Sequence, residues 1–276
     1  MKLHSWVILV LSLIGMQGYC QPLCIAPITI EEGFVTFATE NYFGLLEVMI
    51  ESIHQFSTRP VVAFGINVDI PFSAERFPRL IKKRIDNYDG DIYAQKPRIM
   101  LESGINYGVY LEADDIANQG IDTLFEWAHQ ARDYPLCPVP GWDPNNQASI
   151  MKALGVTHKS MQYIHAHVIF AQSCKEFIKE WYDACVKFDR MAGNADETVL
   201  NVLLWKYGAA QALPVYDPYF EAYEGYLQDV HPPYRFPFDE LYYYSFHGCK
   251  DIGKARQILA DLVAHAKISN KTVWKK

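Results

Sequence analysis

The sequence predicts an α/β protein with a mostly parallel central sheet and helices on both faces, and three observations indicate it. β-branched and aromatic runs alternate with segments of helical periodicity along most of the 276 residues. No repeat, low-complexity stretch or linker divides the chain after its N-terminal segment. The composition, 50% hydrophobic and 21% charged, excludes disorder as the main state.

The charge balance argues against a nucleic-acid partner. Asp and Glu number 32 against 25 Lys and Arg, a formal net charge of -7, whereas a protein that binds the phosphate backbone needs a basic face. The 18 Tyr, 15 Phe and 6 Trp would suit stacking on sugars or bases. A large aromatic core is the simpler explanation for most of them.

The first 20 residues have the pattern of an export signal. A short positive start precedes the apolar run Trp6–Met16, which is shorter than the roughly 20 residues that a membrane span needs. We expect cleavage near Cys20, which leaves residues 21–276 as one domain; an uncleaved signal anchor is the alternative. No later segment is apolar for long enough to cross a bilayer.

The six cysteines neither indicate a zinc site nor demand a disulfide. Their spacing fits no Cys-x-x-Cys or Cys/His ligand pattern. Cys174 and Cys185 fall on one predicted helix, about 16 Å apart, which is too far for a bridge.

The first half of the chain contains three predicted strands. They lie where β-branched and aromatic residues run together, at Gly33–Thr39, Pro60–Asn67 and Gly108–Leu111. An apolar stripe at helical spacing predicts a helix over Tyr42–Phe56. We expect a short basic helix over Pro78–Ile85, because proline suits a first turn, and a further helix over Ile121–Ala131.

The second half continues the alternation. Further strands are predicted at Met161–Phe170 and Leu241–Phe246. Helices are predicted at Ser173–Lys187, Asp196–Tyr207 and Ile252–Lys267. The stretch from 214 to 244 is dense in Tyr, Phe and Pro and gives no clear pattern over most of its length.

Three carboxylates follow the strand that ends at Leu111. In parallel sheets the working residues lie beyond the carboxyl ends of the strands, and Glu112, Asp114 and Asp115 occupy that place. Oxygen ligands suit Mg²⁺ or Mn²⁺, and three clustered acids repel one another without a cation. A helix N-cap is the alternative, but the next helix begins only near Ile121. The pattern favours a metal site.

Several motifs in order resemble glycosyltransferases of the GT-A fold, especially family 8. The resemblance begins with the strands FVTFAT at 34–39 and PVVAFGIN at 60–67, then Lys96-Pro97 and VYLEADDI at 109–116. It continues with YIHAHVIF at 163–170, SCKEFIKEW at 173–181, DETVLN at 196–201 and FHGCK at 246–250. It implies one GT-A-like (Rossmann-like) domain that uses a nucleotide-sugar donor, UDP-linked in that family.

The resemblance implies roles for individual residues. Glu112 and Asp114 would hold Mn²⁺ (or Mg²⁺) and the diphosphate, with Asp115 able to substitute and His247 as a further ligand. Gly248 would let the backbone approach the phosphates, and Lys250 would neutralise them.

Further implied roles concern the sugar and the base. Asp196 would contact the donor sugar, and Lys96 would reach the donor. The end of the first strand would lie against uracil and ribose through Thr36, Ala38 and Thr39. Retention at the anomeric carbon is the expected outcome, whereas inversion would need a general base, for which the sequence offers Asp196, Glu197 and His165.

The chain departs from the family pattern at four places, one of which is FHGCK at 246–250, shorter than the family's usual tail. The first metal acid is Glu112 rather than Asp, and Glu197 replaces a Gln. His165-Ala166-His167 replaces the usual Asn-x-Gly. We expect the two imidazoles to be hydrogen-bonded on one strand face rather than to form a second metal site.

The sequence thus predicts a metal-dependent glycosyltransferase that moves a sugar from a nucleotide-sugar donor to a glycan, protein or small-molecule acceptor. A metal-dependent hydrolase and a catalytically silent sugar- or nucleotide-binding module are the alternatives. The export signal and the donor together favour the ER or Golgi lumen, with secretion as the alternative. The given sequence ends in Trp274, Lys275 and Lys276 and not in a KDEL-type signal for retention in the ER.

Overall fold

The computed structural model describes residues 29–138, 141, 143–188, 195–209, 221–223, 242–245 and 250–273. The predicted export signal and the predicted ligands His247 and Gly248 lie outside these residues. In the described part of the chain, no helix is both long and apolar enough to span a membrane.

The described strands form two sheets. They are β1 (Ile30–Ala38), β2 (Val61–Ile66), β3 (Leu80–Ile85), β4 (Ile105–Tyr110), β5 (Asp115–Ala117), β6 (Ile169–Ala171), β7 (Glu221–Tyr223) and β8 (Tyr243–Ser245). The larger sheet has the order β3-β2-β1-β4-β6 and is parallel except for β6, which runs antiparallel to β4. The smaller sheet has the order β5-β8-β7.

Helices flank the larger sheet, which confirms the predicted α/β class. They are α1 (Phe43–Phe56), α2 (Gln95–Glu102), α3 (Leu124–Ala128), α4 (Ala148–Leu154), α5 (Lys175–Phe188), α6 (Ala195–Lys206) and α7 (Ile252–Val273). β2 is buried along its whole length, as expected of a strand whose two faces are covered. The fold therefore has the mostly parallel, helix-flanked sheet that the sequence predicts.

Helix α1 packs on two hydrophobic cores. Leu46, Met49 and Ile50 belong to the main core around the larger sheet. Leu45 and Val48 instead join a second core with Leu259 and Leu262 of α7 and with residues of β5 and β8. The apolar residues of α1 thus join the C-terminal helix and the small sheet to the main sheet.

The helix predicted over Pro78–Ile85 is wrong, because Leu80–Ile85 is the edge strand β3. It pairs in parallel with β2, from Val61 opposite Leu80 to Ile66 opposite Ile85. Lys82 and Arg84 are exposed, while the Lys83 ammonium donates to the Glu102 and Ser103 carbonyl oxygens at the end of α2. Charged side chains on an edge strand discourage pairing with another chain. The basic cluster therefore protects a sheet edge.

The strand predicted over Met161–Phe170 is much shorter in the structure, where only Ile169–Ala171 is strand. The Asn201 amide accepts from Ile164 N–H at 2.8 Å and donates to the Ile164 carbonyl oxygen at 2.8 Å. A side chain thus satisfies both backbone groups that a strand partner would otherwise satisfy.

Helix α2 was not predicted from the sequence. Its third residue is Pro97. A proline is tolerated there because the first N–H groups of a helix have no intrahelical partner.

Candidate active site

The topology brings separate segments to one edge of the larger sheet. β1 and β4 run in parallel, so the acids that follow β4 lie beyond the carboxyl end of the sheet. β6 runs the opposite way, so the residues that precede it lie at the same edge, and Tyr110 N–H donates to Val168 O. Residues 112–115 and 165–168 therefore become neighbours.

Lys96 lies at the centre of this edge. Its side chain is 5% exposed, and its ammonium is 2.7 Å from Glu112 Oε1 and 2.8 Å from Asp196 Oδ2. It also donates to Ala166 O at 3.5 Å. Burial alone would lower the pKa of Lys96, but the two carboxylates outweigh it and raise that pKa. Lys96 is thus a fixed cation, directed in this structure at the acids rather than outward at a donor.

Both carboxylate oxygens of Glu112 have partners in the structure. Oε1 meets Lys96, and Oε2 accepts from the Tyr110 hydroxyl at 2.6 Å. Burial would raise the pKa of Glu112, but the charges of Lys96 and His167 and these bonds lower it overall. Tyr110 was not among the predicted site residues, although its place two residues before Glu112 at the strand end was a usable signal.

Asp115 is fully buried, and only one of its two carboxylate oxygens is hydrogen-bonded among the described residues. Oδ2 accepts from Glu112 N–H at 2.7 Å and lies 3.2 Å from His167 Nε2. Oδ1 is buried and has no hydrogen-bond partner among the described residues. A buried carboxylate oxygen without a donor is costly unless something positive meets it.

Asp114 is the more accessible of the two aspartates. Burial, together with the neighbouring charges of Asp115 and Glu112, raises the pKa of Asp114 to about 7. The site thus holds a carboxyl group that ionises reluctantly unless a cation is nearby.

Two more acids come from the first turn of α6. The Asp196 carbonyl oxygen accepts from Trp181 Nε1–H at 2.8 Å, which fixes the start of the helix. Burial and the charge of Asp196 raise the pKa of Glu197 to about 7, against the opposing effect of Lys96. Both predicted catalytic residues therefore lie beside Lys96.

His165 and His167 lie on the loop that precedes β6 and not on a strand face. Their rings stack with centroids 4.8 Å apart, and their Nδ1 atoms are 2.7 Å apart. His165 Nε2 is 3.4 Å from Glu197 Oε2. The expected hydrogen bonding between imidazoles is present, and it connects α6 to β5.

No family model and no curated protein matches the chain. A solved structure does match: the apo form of WbbM, a bifunctional glycosyltransferase, at a TM-score of 0.55 and 10% identity over 80% of this chain. The chain therefore shares its fold with part of that glycosyltransferase. It spans 46% of that protein's length. At this identity the likeness shows the fold alone, and it does not single out family 8.

The oxygen ligands at this edge of the sheet are compatible with a hard divalent cation. Glu112 and Asp196 pair with the Lys96 ammonium, burial and the charges of Asp115 and Glu112 raise the pKa of Asp114, and Asp115 Oδ1 lacks a partner among the described residues. The described residues do not preform a group of three metal-binding side chains. Asp114 and Asp115 are the acids with oxygens available, so they fit a cation best.

The residues predicted to hold the nucleotide lie at the same edge, with differing access. Thr36 is fully buried, and its hydroxyl has no partner in the described part of the chain; Ala38 is 2% exposed. Thr39 is half-buried. Lys250 is exposed, with its ammonium 4.7 Å from the centre of the Tyr42 ring. Thr39 and Lys250 are therefore the accessible members of the predicted set.

Tyr93 was missed in the sequence and borders the site. The residue is 53% exposed and lies two positions before α2. Burial raises the pKa of Tyr93, and the charges of Asp196 and Glu112 act in the same direction. An exposed aromatic ring beside the acids is suited to stacking on a sugar or base.

Proposed function

We propose that the protein is a metal-dependent glycosyltransferase that moves a sugar from a nucleotide-sugar donor, UDP-linked as the family 8 resemblance implies, to an acceptor hydroxyl. The observation that carries the proposal is the meeting of Glu112, Asp114, Asp115 and Asp196 beyond the carboxyl end of the sheet in a glycosyltransferase fold. In such folds ligands bind at this edge.

The chemistry of transfer suits this arrangement. Breaking the bond to the nucleotide develops negative charge on the diphosphate and positive charge at the anomeric carbon. A Mn²⁺ or Mg²⁺ ion held by Asp114 and Asp115 would supply charge stabilisation to the diphosphate. Asp196 and Glu197 would face the sugar, and Lys250 would approach the phosphates together with His247 and Gly248.

Turnover of the donor tests the proposal. The purified protein is incubated with UDP-glucose, UDP-galactose or UDP-N-acetylglucosamine in Mn²⁺ and in EDTA, and released UDP is measured. We expect UDP release from at least one donor in Mn²⁺ and none in EDTA. UDP binding without release from any donor would favour the silent module. Cleavage of a phosphate ester that carries no sugar would favour the hydrolase.

Stereochemistry is a separate measurement. The family 8 resemblance implies retention, so a UDP-α-sugar should give an α-linked product by NMR. A β-linked product would reject retention.

We place the reaction in the ER or Golgi lumen, with secretion as the alternative. The support is the export-signal pattern of residues 1–20 and the need for a nucleotide-sugar supply. A fluorescent fusion tests it, and a cytosolic location would overturn it.

A further inference from the structure

We propose that a groove between α5 and the end of α6 binds a lysine or arginine side chain of a protein acceptor. The inference rests on the proposed function and names the class of its acceptor. The groove has a volume of about 450 Å³, within the range of about 300–1,000 Å³ that binding pockets have. The residues that line it and carry the argument are Tyr134, Glu176, Phe177, Lys179, Glu180 and Tyr207.

Three aromatic rings that line the groove contact one another. Tyr134 meets Phe177 edge-on, with 5.4 Å between the ring centroids, and its centroid lies 5.8 Å from that of Tyr207. The centroids of Phe177 and Tyr207 are 6.2 Å apart. Phe177 is 6% exposed, whereas Tyr207 is 43% exposed. The groove therefore presents an aromatic ring to solvent, and the faces of such rings attract cations.

Lys206 shows how this surface binds an ammonium group. Its Nζ lies 2.7 Å from Glu180 Oε1 and 4.9 Å from the centre of the Tyr207 ring. The Tyr207 hydroxyl donates to the other oxygen of the same carboxylate. A carboxylate and an aromatic ring thus bind one primary ammonium together, within the distance of about 6 Å at which a ring attracts a cation.

Glu176 has the same kind of surroundings as Glu180 but no cation of its own. It is exposed and lies one turn before Glu180 on α5, next to Phe177. It forms no ion pair and no hydrogen bond with any residue that the structure describes. Lys179 is instead paired with Asp183 at 2.7 Å, and Glu176 contributes least of the charges and bonds that raise the pKa of Lys179. The carboxylate of Glu176 is therefore available to a cation from another molecule.

The charges of the groove favour a basic side chain over a neutral ligand. Three carboxylates of α5 line it, those of Glu176, Glu180 and Asp183, against the single ammonium of Lys179 on that helix. A lysine or arginine at Glu176 would gain a charge-assisted hydrogen bond and an aromatic contact. A sugar hydroxyl would gain only an ordinary hydrogen bond there. Opposite charges on the two partners would also guide their encounter.

The distance to the active site favours a polypeptide as the carrier of that basic side chain. Asp196 stands in the first turn of α6, and Tyr207 directly follows the last residue of this helix. Eleven positions at about 1.5 Å each separate the two residues by about 16 Å. An extended polypeptide spans this distance with about five residues. A protein acceptor can therefore place a hydroxyl beside Asp196 while a basic side chain about five residues away binds at Glu176.

A peptide titration followed by NMR tests the groove without turnover. The probe is a short peptide with one serine and, five positions away, one lysine; the control peptide carries acetyllysine, which removes the charge. In ¹H–¹⁵N spectra of the labelled protein, we expect the lysine peptide to shift the amide signals of residues 176–180 and 207. Acetylation should weaken its binding about tenfold or more, as expected for loss of a charge-assisted bond. Equal binding of the two peptides would overturn the proposal.

Variants of the groove make the test specific. Glu176→Gln keeps the shape of the side chain, and its exposed position makes damage to the fold unlikely to confuse the result. We expect it to weaken binding of the lysine peptide about tenfold or more. Tyr207→Leu should weaken that binding about two- to fivefold, as expected for loss of an exposed cation–π contact. Glu75→Gln removes an exposed glutamate of the loop after β2 and is the matched control. Full affinity of Glu176→Gln for the peptide would overturn the proposal.

A neutral oligosaccharide tests the other possible occupant. Maltotetraose is titrated into the labelled protein under the same conditions. We expect it to leave the amide signals of residues 176–180 and 207 unchanged. Shifts of these signals with maltotetraose and none with the lysine peptide would assign the groove to a glycan and overturn the basic side chain.

Turnover separates this inference from the proposed function. With a UDP-sugar donor in Mn²⁺, we expect the lysine peptide to raise UDP release by the wild type several-fold above the rate with the acetyllysine peptide. Equal rates with the two peptides would overturn the protein acceptor and leave the proposed function standing. Absence of UDP release from every donor would overturn the proposed function, and the NMR titration would still decide whether the groove binds lysine.

Discussion

Lys96 and Asp196 are 100 positions apart in the chain and form a buried ion pair, with 2.8 Å between Nζ and Oδ2. The same ammonium lies 2.7 Å from Glu112 Oε1. The first turns of α2 and α6 and the end of β4 are thereby joined through one cation. This contact organises the candidate site, so its removal has predictable effects.

Lys96→Met should destabilise the fold. The substitution leaves the buried Asp196 carboxylate and the partly buried Glu112 carboxylate without their cation, and breaking a buried pair costs about 3–5 kcal/mol. Urea unfolding monitored by circular dichroism measures the free energy. Lys179→Met, which removes an exposed pair with Asp183, is the control and should leave the free energy of unfolding close to that of the wild type. Equal effects of the two substitutions would contradict the account.

Asp114 should make stability depend on pH in the absence of metal. Its folded-state pKa of about 7 lies above the value near 3.9 of an unfolded aspartate, so the folded state binds the extra proton. Stability from this group is therefore complete below about pH 4 and is lost as pH rises toward about 7. We expect Asp114→Asn, in EDTA, to gain stability relative to wild type between about pH 5 and pH 7. If the difference in stability between Asp114→Asn and the wild type did not change with pH, the pKa of Asp114 would not be raised in the folded state.

Substitution of Lys250 should weaken the binding of the diphosphate UDP much more than the binding of the nucleoside uridine. If it pairs with the phosphates, Lys250→Ala weakens UDP binding about tenfold or more, as expected for a charge-assisted bond, and leaves uridine binding nearly unchanged. Lys267→Ala removes another exposed lysine and serves as the control. Equal losses for UDP and uridine would point to damage at Tyr42 and the end of β1 instead.

Gly65 is required by the close approach of the chain after β2. A Cβ atom there would overlap the backbone carbonyl oxygen of Val68, which cannot move as a side chain can. Gly65→Ala should cost about 1–3 kcal/mol in urea unfolding. Gly253→Ala, near the start of α7, meets only the Asp251 carboxylate at 3.2 Å and should be neutral or stabilising. A neutral Gly65→Ala would refute this packing.

Local patterns predicted the sheet and the main helices well. β1, β2 and β4 are apolar runs, and α1, α5 and α6 lie where the sequence predicts helices. The same patterns predicted the wrong secondary structure at two places where tertiary contacts determine it. Leu80–Ile85 became a strand because β2 offers an edge, and Ile164 left the strand because Asn201 satisfies its backbone.

The acids of the site were predictable, and their partners were not. Glu112, Asp114 and Asp115 follow a strand in the sequence, which indicates their place. Lys96, Tyr110 and the two histidines reach them through the topology, and a pattern within one segment cannot report such a contact. The expectation that Lys96 reaches the donor stays a prediction.

A calorimetric titration with UDP tests the central claim, that the carboxylates beyond β4 form a metal-dependent nucleotide site. We expect the wild type to bind UDP in Mn²⁺ and to lose that binding in EDTA, and Asp114→Asn to show no gain from Mn²⁺. Asp133→Asn removes an exposed aspartate of the loop after α3 and should bind as the wild type does. Equal UDP affinity of the wild type in Mn²⁺ and EDTA, or full Mn²⁺-dependent affinity in Asp114→Asn, would contradict the account.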